Sequence, residues 1–117
     1  MLISVHDDMQ LEEINDHFNL CFPNLKLAFF YGPHHLHAAS DEKKALNQKM
    51  TVGEVRKPQG SLLMEISSKI KAGELESRFR HELGMNVQVY FRKGKDWQQS
   101  TEQDDLNLAA LNTLGEE

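Results

Sequence analysis

Two rhythms of apolar residues run along this chain, and their order is used twice. Ile3 and Val5 alternate with Ser4 and His6, the period of a half-buried strand. From Met9 to Phe22 the steps become three and four. Leu11, Ile14, Phe18, Cys21 and Phe22 share one helical face, with Glu12, Asn15, Asp16 and Asn19 pointing away. Pro23 ends that helix. Leu25, Leu27 and Phe29 then alternate with Lys26 and Ala28, a second strand leading to Tyr31-Gly32-Pro33.

The second round follows the same grammar. Leu62 to Ile66 predicts a strand. Ile70, Leu75, Phe79 and Leu83 give the helical stripe, with Gly84 as its stop. Val87, Val89 and Phe91 form the next strand. Arg92 to Asp96 reads as a turn and Trp97 to Thr101 as a further hairpin strand. Acidic or hydroxyl residues stand before each helix, Asp7-Asp8 and Ser67-Ser68, where they are expected to cap. Each round closes on a short motif, Met50 to Val55 and Leu106 to Leu111, with Thr51 and Asn107 placed to cap one helical turn.

Leu2-Ile3-Ser4-Val5, Leu11, Ile14, Phe18 and Phe22 align without a gap on Leu63-Met64-Glu65-Ile66, Ala72, Leu75, Phe79 and Leu83. After a slip of one residue, Leu25 to Phe29 falls on Val87 to Phe91. Self-similarity of this kind marks one supersecondary unit used twice. The expectation is a single domain, 1–117, made of two repeats, 1–57 and 61–114. One apolar helical stripe per unit needs a cover, and a shared sheet buries both stripes together. The predicted fold class is α+β: a two-layer sandwich of a duplicated βαβ unit, ferredoxin-like. The alternative is two β-grasp-like units, each near 55 to 60 residues, a marginal size for a separate core.

Composition narrows the function. Net charge is −5 with a pI near 5.6, a balance that disfavours broad phosphate-backbone binding. No apolar run approaches the roughly 20 residues that span a bilayer. Cys21 is the one cysteine and cannot form an internal disulfide, so a cytoplasmic setting is expected. The chain's first residues lack a basic, then apolar, then small-residue pattern, so no signal peptide is expected.

Met85 to Gly94, then Trp97, Ser100-Thr101 and Asp104-Asp105-Leu106, form a run of Val-Gln-Val, Arg-Lys, Trp, threonine and Asp-Asp signatures. Phe22 to Leu27 and Pro33-His34 extend the pattern into the first half. In these motifs the chain resembles a group of small uncharacterised bacterial proteins with a duplicated strand–helix–strand unit. The resemblance implies the duplicated fold and carries no activity.

Four constellations bear on chemistry. His34, His35 and His37, with Asp41 and Glu42 beyond them, offer donors that suit zinc, nickel or copper, but lack a helical His pair or a Cys partner. Cys21 has His17 four residues upstream but no nucleophile signature, and reads as packing on the buried stripe. The pairs Asp7-Asp8 and Asp104-Asp105 read as caps. On the strands, Phe30, Tyr90, Arg92 and Lys26 face away from the core, with Lys93, Lys95 and Trp97 on the adjoining hairpin. Tyr, Trp and Arg are common interface anchors.

The expected function is a non-enzymatic protein–protein interaction or self-associating module, its surface centred on Phe30, Tyr90, Arg92 and Trp97. The alternatives are metal binding by the His34–His37 loop and single-stranded RNA stacking on an open sheet face. No cofactor and no membrane partner is expected.

Overall fold

The computed structural model describes residues 1–32, 38–57 and 59–116. Its strands and helices, in chain order, are β1 (Leu2–Val5), α1 (Leu11–Cys21), β2 (Leu25–Phe30), α2 (Val52–Val55), β3 (Leu62–Glu65), α3 (Ala72–Arg78), β4 (Asn86–Lys93), β5 (Asp96–Gln99) and α4 (Leu108–Leu114). Short 3-10 turns cover Glu42–Lys44 and Glu102–Asp105. The class is α+β, with two small antiparallel sheets: β1 beside β3, and β2-β4-β5 in that order.

The strands of the first half pair with those of the second. Ile3 faces Met64 at the centre of β1–β3, with Leu2 opposite Glu65 and Ser4 opposite Leu63. Leu27 faces Val89 at the centre of β2–β4, with Leu25 opposite Phe91 and Phe29 opposite Val87. Ile3 and Met64 hold the same place in the aligned halves, and so do Leu27 and Val89. Strands meeting at equivalent residues are related by a local two-fold axis, and such strands run antiparallel. A ferredoxin-like layer would instead join all four strands in one sheet. That expectation is corrected here, as is the β-grasp alternative, in which each half would own its sheet.

The hydrogen bonds also recur. Leu11 N–H donates to the Met50 carbonyl (2.9 Å) and Ala72 N–H to that of Leu106 (3.0 Å). Val52 N–H reaches Met9 O (2.8 Å), and Leu108 N–H reaches Ile70 O (2.9 Å). Gly53 donates to Asp7 O (2.7 Å), and Ala109 to Ser68 O (3.0 Å). In each half the closing helix is thus tied to the turn before the main helix. The caps of those closing helices are as expected: Thr51 Oγ1 accepts from Glu54 N–H (3.3 Å) and Asn107 Oδ1 from Ala110 N–H (2.8 Å).

The main helices differ at their C-terminal ends. Leu11 lies fourteen residues before Leu25, whereas Ala72 lies fifteen before Val87. The extra residue falls where α3 runs into a π turn at Phe79–Leu83, closed by Gly84 at φ 69°. A π turn closes i→i+5 bonds and so takes up one residue more than an α-helical turn. Gly84 adopts the left-handed conformation that a side chain resists.

The carboxylate pairs do not cap. Gln10 and Lys71 hold the N-cap positions of α1 and α3. Asp7 instead accepts from Arg56 Nε (3.2 Å) and Nη2 (3.0 Å) and from the Gly60 amide (2.7 Å). Those bonds, that to Gly60 first, hold its carboxyl below the usual carboxylate range. Arg56 is buried and also donates to Leu83 O (2.7 Å), so it clasps the end of the first half to the helix of the second. Asn112 reciprocates, its Oδ1 accepting from Asn24 N–H (2.9 Å).

One cluster of buried apolar side chains draws on both halves: Ile14, Phe18 and Leu27 pack in the same core as Leu75, Phe79 and Val89. Phe29 and Phe79 meet edge to face at 6.3 Å. No helix among the described residues is long and apolar enough to cross a membrane.

Candidate functional site

The face of β2-β4-β5 turned away from the core is only partly open. Residues 38–45 lie across it. Ser40 N–H donates to Gln99 Oε1 (2.7 Å) and Gln99 Nε2 returns a bond to Ser40 O (3.0 Å). Ser40 Oγ donates to Gln88 Oε1 (3.0 Å), and Gln88 Nε2 donates to Ser100 O (2.7 Å). Gln88 is fully buried, and these bonds satisfy its amide. Ala45 bridges Phe30 at the strand's end.

This cover decides which expected surface residues are accessible. Phe30 is 3% exposed and Tyr90 6%, so neither is an open contact residue. Tyr90 Oη donates to Glu42 Oε1 (3.3 Å). Burial, then the neighbouring Glu42 charge, push the phenol pKa up to about 12, so it stays a donor.

Beyond Glu42 the face carries side chains that solvent reaches. Arg92 on β4 and Trp97 on β5 are direct cross-strand partners. The Arg92 guanidinium lies 5.4 Å from the Trp97 ring centre. Lys26 Nζ, from β2, lies 5.1 Å from the same ring and 5.0 Å from that of Tyr90. Both are cation–π distances. Partial burial of Lys26 pulls its pKa down. Arg92, Lys93 and Lys95 are exposed, Trp97 half-buried. Three strands thus assemble a basic ledge around one indole, and among the described residues β5 pairs only with β4.

His34, His35 and His37 lie outside the described residues. Among the described residues no group of three or more His, Cys, Asp or Glu side chains is placed to hold a metal ion. Cys21, expected on the buried stripe, is exposed at the last residue of α1. The helix turns Phe18 and Phe22 inward instead.

Two positions escaped the sequence reading. Asn15 was expected to point away from the core, yet its Oδ1 accepts from Leu27 N–H (2.8 Å). Glu76, at the matching place on α3, accepts from Val89 N–H (2.8 Å) and is 5% exposed. The signal was present: Ala72, Leu75, Glu76 and Phe79 follow the i, i+3, i+4, i+7 pattern of a buried face, as do Leu11, Ile14, Asn15 and Phe18. Burial drives the Glu76 pKa up to about 9, with the Asp104 charge adding to the rise and the Val89 bond and Arg80 opposing it. No family model, curated protein or solved structure matches this chain.

Proposed function

We propose that this chain is a non-enzymatic interaction module, built from two copies of one unit, that binds an acidic segment of a partner protein. The ledge of Lys26, Arg92 and Trp97, flanked by Lys93 and Lys95, is the contact surface. The observation that carries this reading is a cluster of cations around a partly exposed indole on a chain whose net charge is −5. Like charges are gathered against the overall balance, and aromatic–arginine pairs are favoured interface anchors. The exposed thiol of Cys21 suits the reducing cytoplasm, where we place the protein.

A protein partner is favoured over RNA. Base stacking needs a free ring face, and Trp97 already engages two cations. The outer sheet face that would seat further bases is occupied by residues 38–45.

The test is binding of a labelled Asp/Glu-rich peptide to the full chain, alongside light-scattering mass. Saturable 1:1 binding, weakened about tenfold by Arg92→Glu or Trp97→Ala, supports the reading. No binding, preference for a single-stranded oligonucleotide, or a dimer that both variants leave intact would overturn it.

A further inference from the structure

A hollow of about 220 Å³ opens on the core-side face of the β4–β5 hairpin, bordered by α4 and the 3-10 turn at Glu102–Asp105. Phe91, Arg92 and Lys93 of β4, Gln98 of β5, Gln103 of the turn and Leu114 of α4 line it. Gln98 stands opposite Phe91 across the hairpin, so their side chains share a face. Lys93, two residues beyond Phe91, projects from that face too. Arg92 and Trp97 point the other way, onto the ledge. Phe91 belongs to the shared core and Leu114 packs against it, so the hollow has an apolar floor. Lys93 is exposed and holds no ion pair among the described residues. Asp96, across the hairpin from it, does not line the hollow.

One polar atom here lacks a partner. Gln103 Oε1 is shut off from solvent and accepts no hydrogen bond among the described residues. A buried acceptor left so costs about 1–3 kcal/mol. Counting back from the matching caps Thr51 and Asn107, Asn47 holds the place of Gln103 in the first half. Its Oδ1 accepts from Lys49 N–H at 2.8 Å. The corner itself is also closed there. Phe30 bridges Ala45 as Arg92 pairs with Trp97, so Leu46 stands where Gln98 does. Leu46 is buried, its N–H reaching Phe29 O (2.8 Å). The space left beside Phe29, Tyr31 and Leu46 is only about 40 Å³. In the second half a glutamine replaces the leucine plug, Lys93 replaces Tyr31, and an amide oxygen goes unpaired. Close packing calls for none of these changes, and all three meet at one hollow.

We infer that this hollow binds a small N-acylated amino acid. The ligand's carboxylate pairs with Lys93, its amide N–H donates to Gln103 Oε1, and its acyl group lies on Phe91 and Leu114. The last torsion of a glutamine is broad, so the Gln103 amide turns readily toward a donor in the hollow. The Gln98 amide donates to the ligand's acyl carbonyl. The volume lies below the about 300–1,000 Å³ of larger ligand pockets, which suits a single acylated residue. A free phosphate is the poorer fit, since it brings no apolar part for Phe91 and Leu114. A purely apolar ligand leaves Lys93 and Gln103 unmatched.

The experiment is calorimetric titration of the full chain with benzoylglycine, its N-methyl derivative and its carboxamide. Benzoylglycine should saturate at 1:1. Methylation removes the N–H and amidation removes the charge, and each should weaken binding at least about tenfold. Gln98→Leu restores the plug of the first half and should weaken benzoylglycine binding by a similar factor, with the circular dichroism unchanged. Lys93→Gln, at an exposed position, gives the same direction if Gln98→Leu misfolds, and it should level the difference between benzoylglycine and the carboxamide. The site is refuted by absence of saturation with benzoylglycine, by equal affinity for all three ligands, or by affinity unchanged in the folded variants.

Discussion

Glu76 does for Val89 what Asn15 does for Leu27. Leu27 and Val89 face each other at the centre of β2–β4. Each N–H finds its acceptor 2.8 Å away, on the side chain of a helix in its own half. One acceptor is a permanently neutral amide, the other an acid held neutral by burial.

That difference makes stability depend on pH. Unfolded, Glu76 loses its proton near the ordinary value of 4.5; folded, it does so near pH 9. Between those values the folded chain binds the extra proton, so its stability falls as pH rises through the window and levels off beyond it. Glu76→Gln keeps an acceptor for Val89 and cannot titrate. Its advantage over the native chain should grow from pH 5 to pH 9, read from urea midpoints. Parallel curves for the two proteins would contradict the assignment.

The shared core predicts that the halves unfold together. Phe18 and Phe79 are both fully buried in one cluster. Replacing either by Ala should remove about 3–5 kcal/mol, a large part of the roughly 5–15 kcal/mol that holds a domain. Trp97 fluorescence reports on the second half. In Phe18→Ala it should shift to the same lower midpoint as the far-ultraviolet dichroism. A Trp97 transition left at the native midpoint would show two independent cores.

Arg56 should be the costliest polar side chain to remove. Its side chain is 2% exposed and joins Asp7, Gly60 and Leu83. Arg56→Ala leaves the Leu83 carbonyl without that bond and should destabilise by about 3 kcal/mol in urea melts, the lower end for a broken buried pair because Asp7 is partly wet. Arg56→Lys should recover little of the loss, since one ammonium cannot reproduce the guanidinium's three-way spread.

The closing helices should each lose about 1 kcal/mol when their caps are removed, by Thr51→Ala or by Asn107→Ala. The two sites share no hydrogen-bond partner, so the double variant should show the sum. A strongly non-additive result in denaturant titration would mean the two closing turns are coupled.

Much of the fold is local and could be read from the residue pattern. Ile3 and Val5, Leu11 with Ile14 and Phe18, and Gly84 mark their strand, helix and stop by periodicity and backbone preference alone. Thr51 and Asn107 announce their caps because a cap needs only the next turn of chain.

Partners distant along the chain carry no such mark. Whether β1 lies parallel beside β3 or antiparallel across an axis at Ile3 and Met64 depends on how the two units meet, and a period of two is the same in either case. Phe30 and Tyr90 alternate onto the outer face as expected, but the fold buries both, with Ala45 and Glu42 among their neighbours, while Arg92 stays exposed and Trp97 half-buried. Glu76 looked like one more charged helical residue until packing removed its water. The sequence alone determined which elements form and which side of each is apolar. Tertiary structure decided which strands pair, which polar groups are dry and which surface remains open, because burial belongs to the assembled neighbours and not to the residue.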